Sequence, residues 1–128
     1  MRPDIFTRRY GHGPRHALGI HCTLAHSGAW RGVGEALEDE ISLLCFDLPS
    51  HGKSGDWDGK GNLHDVATDM ARSLLTEPMD VIGHSFGATI GLRLAIENPE
   101  LVRSLTMIEP VYFAAALVDD PARVAAAD

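Results

Sequence analysis

Between Met79 and Glu97 the chain passes from a short apolar run, through Gly83-His84-Ser85-Phe86-Gly87, into a segment of helix-forming residues. In that setting G-x-S-x-G describes a strand that becomes a helix at a single residue, with Ser85 at the apex. The turn is so sharp that strand and helix nearly touch. Positions two before and two after the apex must be almost free of side chain, and Gly83 and Gly87 meet that demand. Ser85 also opens a helix, where unpaired N–H groups and the helix dipole favour developing negative charge.

The rest of the chain supplies the setting such a turn needs. Residues 1–16 are polar, with Ile5-Phe6-Thr7 as a short first strand; Gly11, Gly13 and Pro14 place His12 and His16 on a surface loop. Ala17–Cys22 is an apolar run too short for a helix and reads as a buried strand. A loop of small residues follows to Trp30, and then a helix of about ten residues ending near Glu40. Ser42–Phe46 reads as a second buried strand, closed by the Pro- and Gly-containing loop Asp47–Gly55. From Asn62 to Leu75, Leu63, Val66, Met70 and Leu74 recur at helical spacing, with Asn62 as N-cap. Asn98-Pro99 ends the helix after Ser85, and Arg103–Glu109 supplies a fourth apolar strand.

Strands alternating with helices imply an α/β fold: a mostly parallel sheet with helices on both faces. Ligands on such a sheet bind at the carboxyl ends of its strands. The loops Thr23–Gly28, Asp47–Gly55, Gly83–Gly87 and Glu109–Tyr112 all follow strands at that end and converge on one rim.

Bulk properties narrow the function classes. A chain of 128 residues can form one domain that buries roughly two-thirds of its unfolded surface. A formal charge of −7 argues against nucleic acid as a partner, since no basic face is available to displace counterions. Cys22 and Cys45 lie in apolar runs, as reduced buried thiols do, and no apolar run has the length of a membrane span. The N-terminus lacks a signal-peptide pattern, so the expected location is cytoplasmic, with no membrane partner. No metal and no organic cofactor is implied.

With three motifs on one rim, the chain resembles the α/β-hydrolase family over nearly its whole length. His21-Cys22-Thr23 is similar to that family's His-Gly oxyanion segment, with Trp30 in the usual aromatic position on the following helix. Asp47-Leu48-Pro49-Ser50-His51-Gly52-Lys53-Ser54 resembles its D-x-P-G-H-G-x-S loop, Gly83–Gly87 its nucleophile elbow, and Asn98–Leu105 the lead into the strand after it. Cys22 and Ser50 stand where the family has glycine; the first is expected to narrow the oxyanion pocket and the second to matter little. The resemblance implies Ser85 as nucleophile and the backbone N–H groups of Thr23 and Phe86 as oxyanion hole. It implies a serine hydrolase of the esterase, lactonase, thioesterase or carbon–carbon hydrolase type, acting on a small carbonyl substrate through an acyl-serine intermediate. Trp30, Tyr112 and Phe113 are the expected pocket residues, each equally at home in core or cap packing.

The remaining triad members are the open part of the reading. The family order is nucleophile, acid, histidine, yet His12, His16, His21, His26, His51, His64 and His84 all precede Ser85. Glu109, at a strand end, is the candidate acid, with a loop-ordering role as the alternative. His26, on the oxyanion loop, is the best local substitute base, against a satisfied structural histidine. His51 is expected to bond backbone in its own turn, and His64 to ride a surface helix. The simpler expectation is that residues 1–128 form the N-terminal portion of the fold, truncated before its last strands and cap, with 111–128 as the start of a helical cap. Such a chain lacks the late histidine, is inactive alone, and leaves an apolar sheet edge for self-association or a C-terminal half. Alternatives are a hydrolase-derived module that only binds a ligand or partner, and a partner chain that supplies the histidine.

Overall fold

The computed structural model describes residues 2–111, so Tyr112, Phe113 and the expected cap, beyond Val111, lie outside the described residues. The elements in order are β1 (Thr7–Tyr10), β2 (Arg15–Ile20), a 3-10 turn at Ser27–Trp30, α1 (Arg31–Ala36), β3 (Ile41–Phe46), α2 (Leu63–Leu74), β4 (Met79–His84), α3 (Phe86–Glu97) and β5 (Val102–Ile108). The sheet order is β1-β3-β2-β4-β5. β1 is antiparallel to β3, and the other pairings are parallel, with Ile20 opposite both Phe46 and Gly83.

Two cores of unequal size cover the two faces. On one, α2 and α3 bury Leu18, Ile20, Phe46, Met70, Val81, Ile90 and Leu94 at or near zero exposure. On the other, α1 and the turn before it cover Ala17, Trp30, Leu43 and Cys45. Each fully buried Leu, Ile or Phe side chain is worth about 1.5–3 kcal/mol, so the α2–α3 face carries most of the stability. α2 forms where its periodicity places it: the Asn62 side-chain oxygen Oδ1 accepts from His64 N–H at 2.8 Å and Asp65 N–H at 3.2 Å, and Ala67, Met70 and Ala71 face inward.

Some elements differ from the sequence reading. The first strand starts at Thr7, where it can pair with β3, rather than at Ile5. The expected ten-residue helix is only α1, which ends at Ala36. Its Gly32 and Gly34 weaken it, and residues beyond it are claimed by the incoming chain: His12 N–H donates to Glu38 O at 2.8 Å and Gly13 N–H to Ile41 O at 3.0 Å. Cys22 and Cys45 are free thiols, Cys45 fully buried. Among the described residues no helix is long and apolar enough to cross a membrane.

Candidate active site

Ser85 sits at φ 54°, ψ −114°, between the last residue of β4 and the first of α3. A non-glycine residue there carries strain on the order of 1–3 kcal/mol, and the surrounding backbone enforces it. Ser85 N–H donates to Ile108 O at 2.9 Å, and its own carbonyl accepts from Ala88 N–H at 3.0 Å. The glycines have the role the spacing demands. A Cβ on Gly83 would lie 2.4 Å from Gly87 O, and one on Gly87 would lie 2.1 Å from Ile20 O. Ser85 is half-buried, and no described residue makes a hydrogen bond with its hydroxyl.

Phe86 is the first residue of α3, so its N–H has no intrahelical partner. It shares a cavity of about 60 Å³ with Thr23, Leu48, Pro49, His51 and Leu63. The two residues expected to form the oxyanion hole are thus brought together. The Thr23 loop is tied to the loop after β3 through two histidines. His21, fully buried, accepts from Leu48 N–H at 2.9 Å on Nε2 and lies 2.7 Å from Cys22 O on Nδ1. Burial of its ring, with His51 nearby, holds its pKa below the ordinary value, so it is a neutral strut. His51 bonds its own turn, as expected, through Nδ1 and Pro49 O at 2.8 Å; it also accepts from Leu24 N–H at 3.0 Å on Nε2.

Asp47 is the hub of that second loop. Burial disfavours its charge, but hydrogen bonds outweigh this and keep the carboxyl below its ordinary pKa. Lys53 N–H donates to it at 2.8 Å and Ser27 N–H at 2.6 Å. Ser50 adopts φ 63°, in the left-handed region that favours glycine. Its hydroxyl accepts from Trp57 N–H at 2.9 Å, which offsets part of that strain. Leu24, at φ 69° and 93% exposed, is left-handed with no packing in compensation. Nothing in the sequence marked Leu24.

The other candidates are placed as follows. Glu109, exposed at φ 47°, directly follows the residue whose carbonyl holds Ser85 N–H. His26 Nδ1 accepts from Gly28 N–H at 2.9 Å, capping the turn before α1; a base role requires that cap to open. Trp30 lies against Gly19 and lines a second cavity, of about 150 Å³, with His21, Cys22, Val33, His84 and Ile108. His64, half-buried on α2, turns its ring toward α3: it meets Phe86 edge-on at 5.4 Å, and Nε2 lies 3.1 Å from the Thr89 hydroxyl. Burial and Arg93 lower its pKa. Among the described residues no group of three or more His, Cys, Asp or Glu is arranged to hold a metal ion.

The sequence pattern of the alpha/beta hydrolase family matches residues 17–128. The chain belongs to that family. Curated relatives of this α/β-hydrolase chain include the lipase LipV of Mycobacterium tuberculosis, 32% identical over 84% of the chain. Another is a pimeloyl-[acyl-carrier protein] methyl ester esterase of Nitrosomonas europaea, 35% identical over 82% of it. The chain spans 42% and 40% of their lengths, respectively. Among solved structures, an epoxide hydrolase from Bacillus megaterium superposes with a TM-score of 0.81 at 21% identity, over 92% of this chain and 44% of that one. That likeness concerns the α/β-hydrolase fold alone.

Proposed function

We propose that this chain carries the nucleophile and oxyanion hole of a serine hydrolase acting on a small ester, thioester, lactone or related carbonyl substrate. The observation that carries the reading is Ser85 itself: a strained residue of positive φ at the start of α3, next in sequence to Phe86, which shares a cavity with Thr23. Strain of this kind persists where function requires it. The relatives named as lipase and methyl ester esterase support the ester class.

In this mechanism the Ser85 hydroxyl attacks the carbonyl carbon and its proton passes to a general base. The oxygen that becomes negative is met by the N–H groups of Phe86 and Thr23. Collapse expels the leaving group with that proton, and water then cleaves the acyl-serine bond. Glu109 is the candidate to orient the base. The base itself is assigned to the part of the family fold that the longer relatives have and this chain does not span. The 128 residues alone are therefore expected to turn over more slowly than a complete enzyme by about 10⁴-fold or more.

A fluorophosphonate reagent applied to the full gene product tests the proposal. Labelling is expected on Ser85 and lost in Ser85→Ala. A folded protein that takes no label there excludes serine chemistry. One observation favours a second reading, a cleft that only binds: every histidine precedes Ser85, and among the described residues none bonds its hydroxyl. On that reading Ser85→Ala leaves ligand affinity unchanged.

A further inference from the structure

We propose that His51 is a positioning residue for the oxyanion hole: its neutral imidazole fixes the loop that carries Thr23, and protonation of the ring releases it. The inference rests on the serine-hydrolase reading above. Its geometric basis is the pair of bonds made by one ring. Nδ1 lies 2.8 Å from Pro49 O, a pure acceptor, so Nδ1 carries the proton and donates. Nε2, 3.0 Å from Leu24 N–H, is then the acceptor. Only this one neutral tautomer satisfies both contacts. A protonated ring would turn a second N–H toward the Leu24 N–H, leaving two donors facing each other and no bond.

Leu24 itself has little else to hold it. Leu24 is left-handed, a conformation that disfavours its side chain by about 1–2 kcal/mol, and with 93% of it exposed no packing offsets the penalty. Besides the His51 bond, the turn is held through Cys22 O, which accepts from Ala25 N–H at 3.2 Å and lies 2.7 Å from His21 Nδ1. The Leu24 amide immediately follows Thr23, and Thr23 and His51 line the same cavity as Phe86. Releasing Leu24 therefore frees the peptide on the C-terminal side of Thr23, the one hinged directly to the Cys22–Thr23 peptide that carries the Thr23 N–H, while Phe86, fixed in α3, stays in place.

The charged and titratable neighbours do not supply a substitute. His21, whose ring centre is 5.3 Å from that of His51, is occupied by Leu48 and Cys22. On the Thr23 loop, His26 is engaged with Gly28 N–H. On the loop of His51 itself, Asp47 is taken by Ser27 and Lys53 N–H, and the Lys53 ammonium lies over the Phe6 ring. His64 of α2 sits behind Phe86, bonded to Thr89.

Two measurements test this. In the chain itself, nitrogen-15 NMR of the imidazoles, followed with the backbone amides through a pH titration, reads the tautomer and the clamp without any variant. The expected result is Nδ1-protonated His51 at neutral pH, with the Leu24 and Thr23 amides shifting along the His51 titration curve. Leu24 amide exchange should rise on the order of tenfold in His51→Phe, whereas His51→Gln, which retains an acceptor and a donor, should restore protection. A proton on Nε2, or a Leu24 amide indifferent to the titration, overturns the proposal. In the full gene product, phosphonylation of Ser85 should slow on the order of tenfold in His51→Phe and recover in His51→Gln; equal rates in all three proteins also overturn it. A wild-type Ser85 that takes no label refutes the serine reading instead, and the amide titration then decides for His51 by itself.

Discussion

Asp80 and Ser85 lie near opposite ends of β4 and are held in opposite ways. Ser85 is constrained by backbone alone, whereas Asp80 is fixed through its side chain. Burial works against the Asp80 charge, yet Arg15, Arg103 and Ser104 overcome it and hold the carboxyl far below the usual carboxylate range. Arg15 Nη2 donates at 2.9 Å and Arg103 Nη2 at 3.0 Å, so one carboxylate joins β2, β4 and β5. Because the folded-state pKa is depressed, this stabilisation is complete above the unfolded carboxylate value of about 4 and is lost as pH falls below it. Asp80→Asn should therefore lower stability by about 1–3 kcal/mol at pH 7, toward the lower end because both arginines are partly exposed. The difference from wild type should narrow in urea denaturation near pH 3. At the same scale, burial pushes the Cys45 thiol up to about 12, which makes it an inert core group.

At the scale of elements, the elbow depends on bare backbone in a way that can be measured against a control in α1. A methyl group on Gly87 would meet the Ile20 carbonyl at 2.1 Å, in the middle of the sheet. Gly87→Ala should cost at least about 2 kcal/mol, or prevent folding. Gly32 of α1 has nothing within 4 Å of its Cβ position, so Gly32→Ala should raise stability by about 0.5–1 kcal/mol in the same denaturation assay. The contrast shows which parts of the molecule were legible in sequence. The elbow and α2 were readable because each is specified locally, by glycine spacing and by an apolar stripe with its Asn62 cap. α1 was overcalled because its end is set by residues far along the chain, Gly11 and Gly13 crossing over Glu38–Ile41. The Thr23 loop was readable as a motif but not in its conformation. No local pattern announces that Leu24 is left-handed or that His51 reaches across from the next loop.

For the whole molecule, the decisive feature is where the sheet ends. β5 is an edge strand among the described residues, with Ile108 40% exposed and Val111 38% exposed beyond it. Edges of this kind attract another chain, and the longer relatives have room for strands that could lie there. The isolated chain is expected to associate with concentration, giving a light-scattering mass above the 13.8 kDa of one copy. A strictly monomeric chain at all concentrations counts against an adhesive edge. The tip of the elbow is held by the Ile108 carbonyl through Ser85 N–H, and the Ile20 carbonyl lies close against Gly87; both come from distant parts of the chain. No short peptide cut around Ser85 can reproduce that geometry, because the grip exists only once β2, β4 and β5 have come together. On the proposed serine chemistry, the extent to which an electrophile consumes Ser85 therefore doubles as a gauge of assembly, counting the molecules whose central strands are in register.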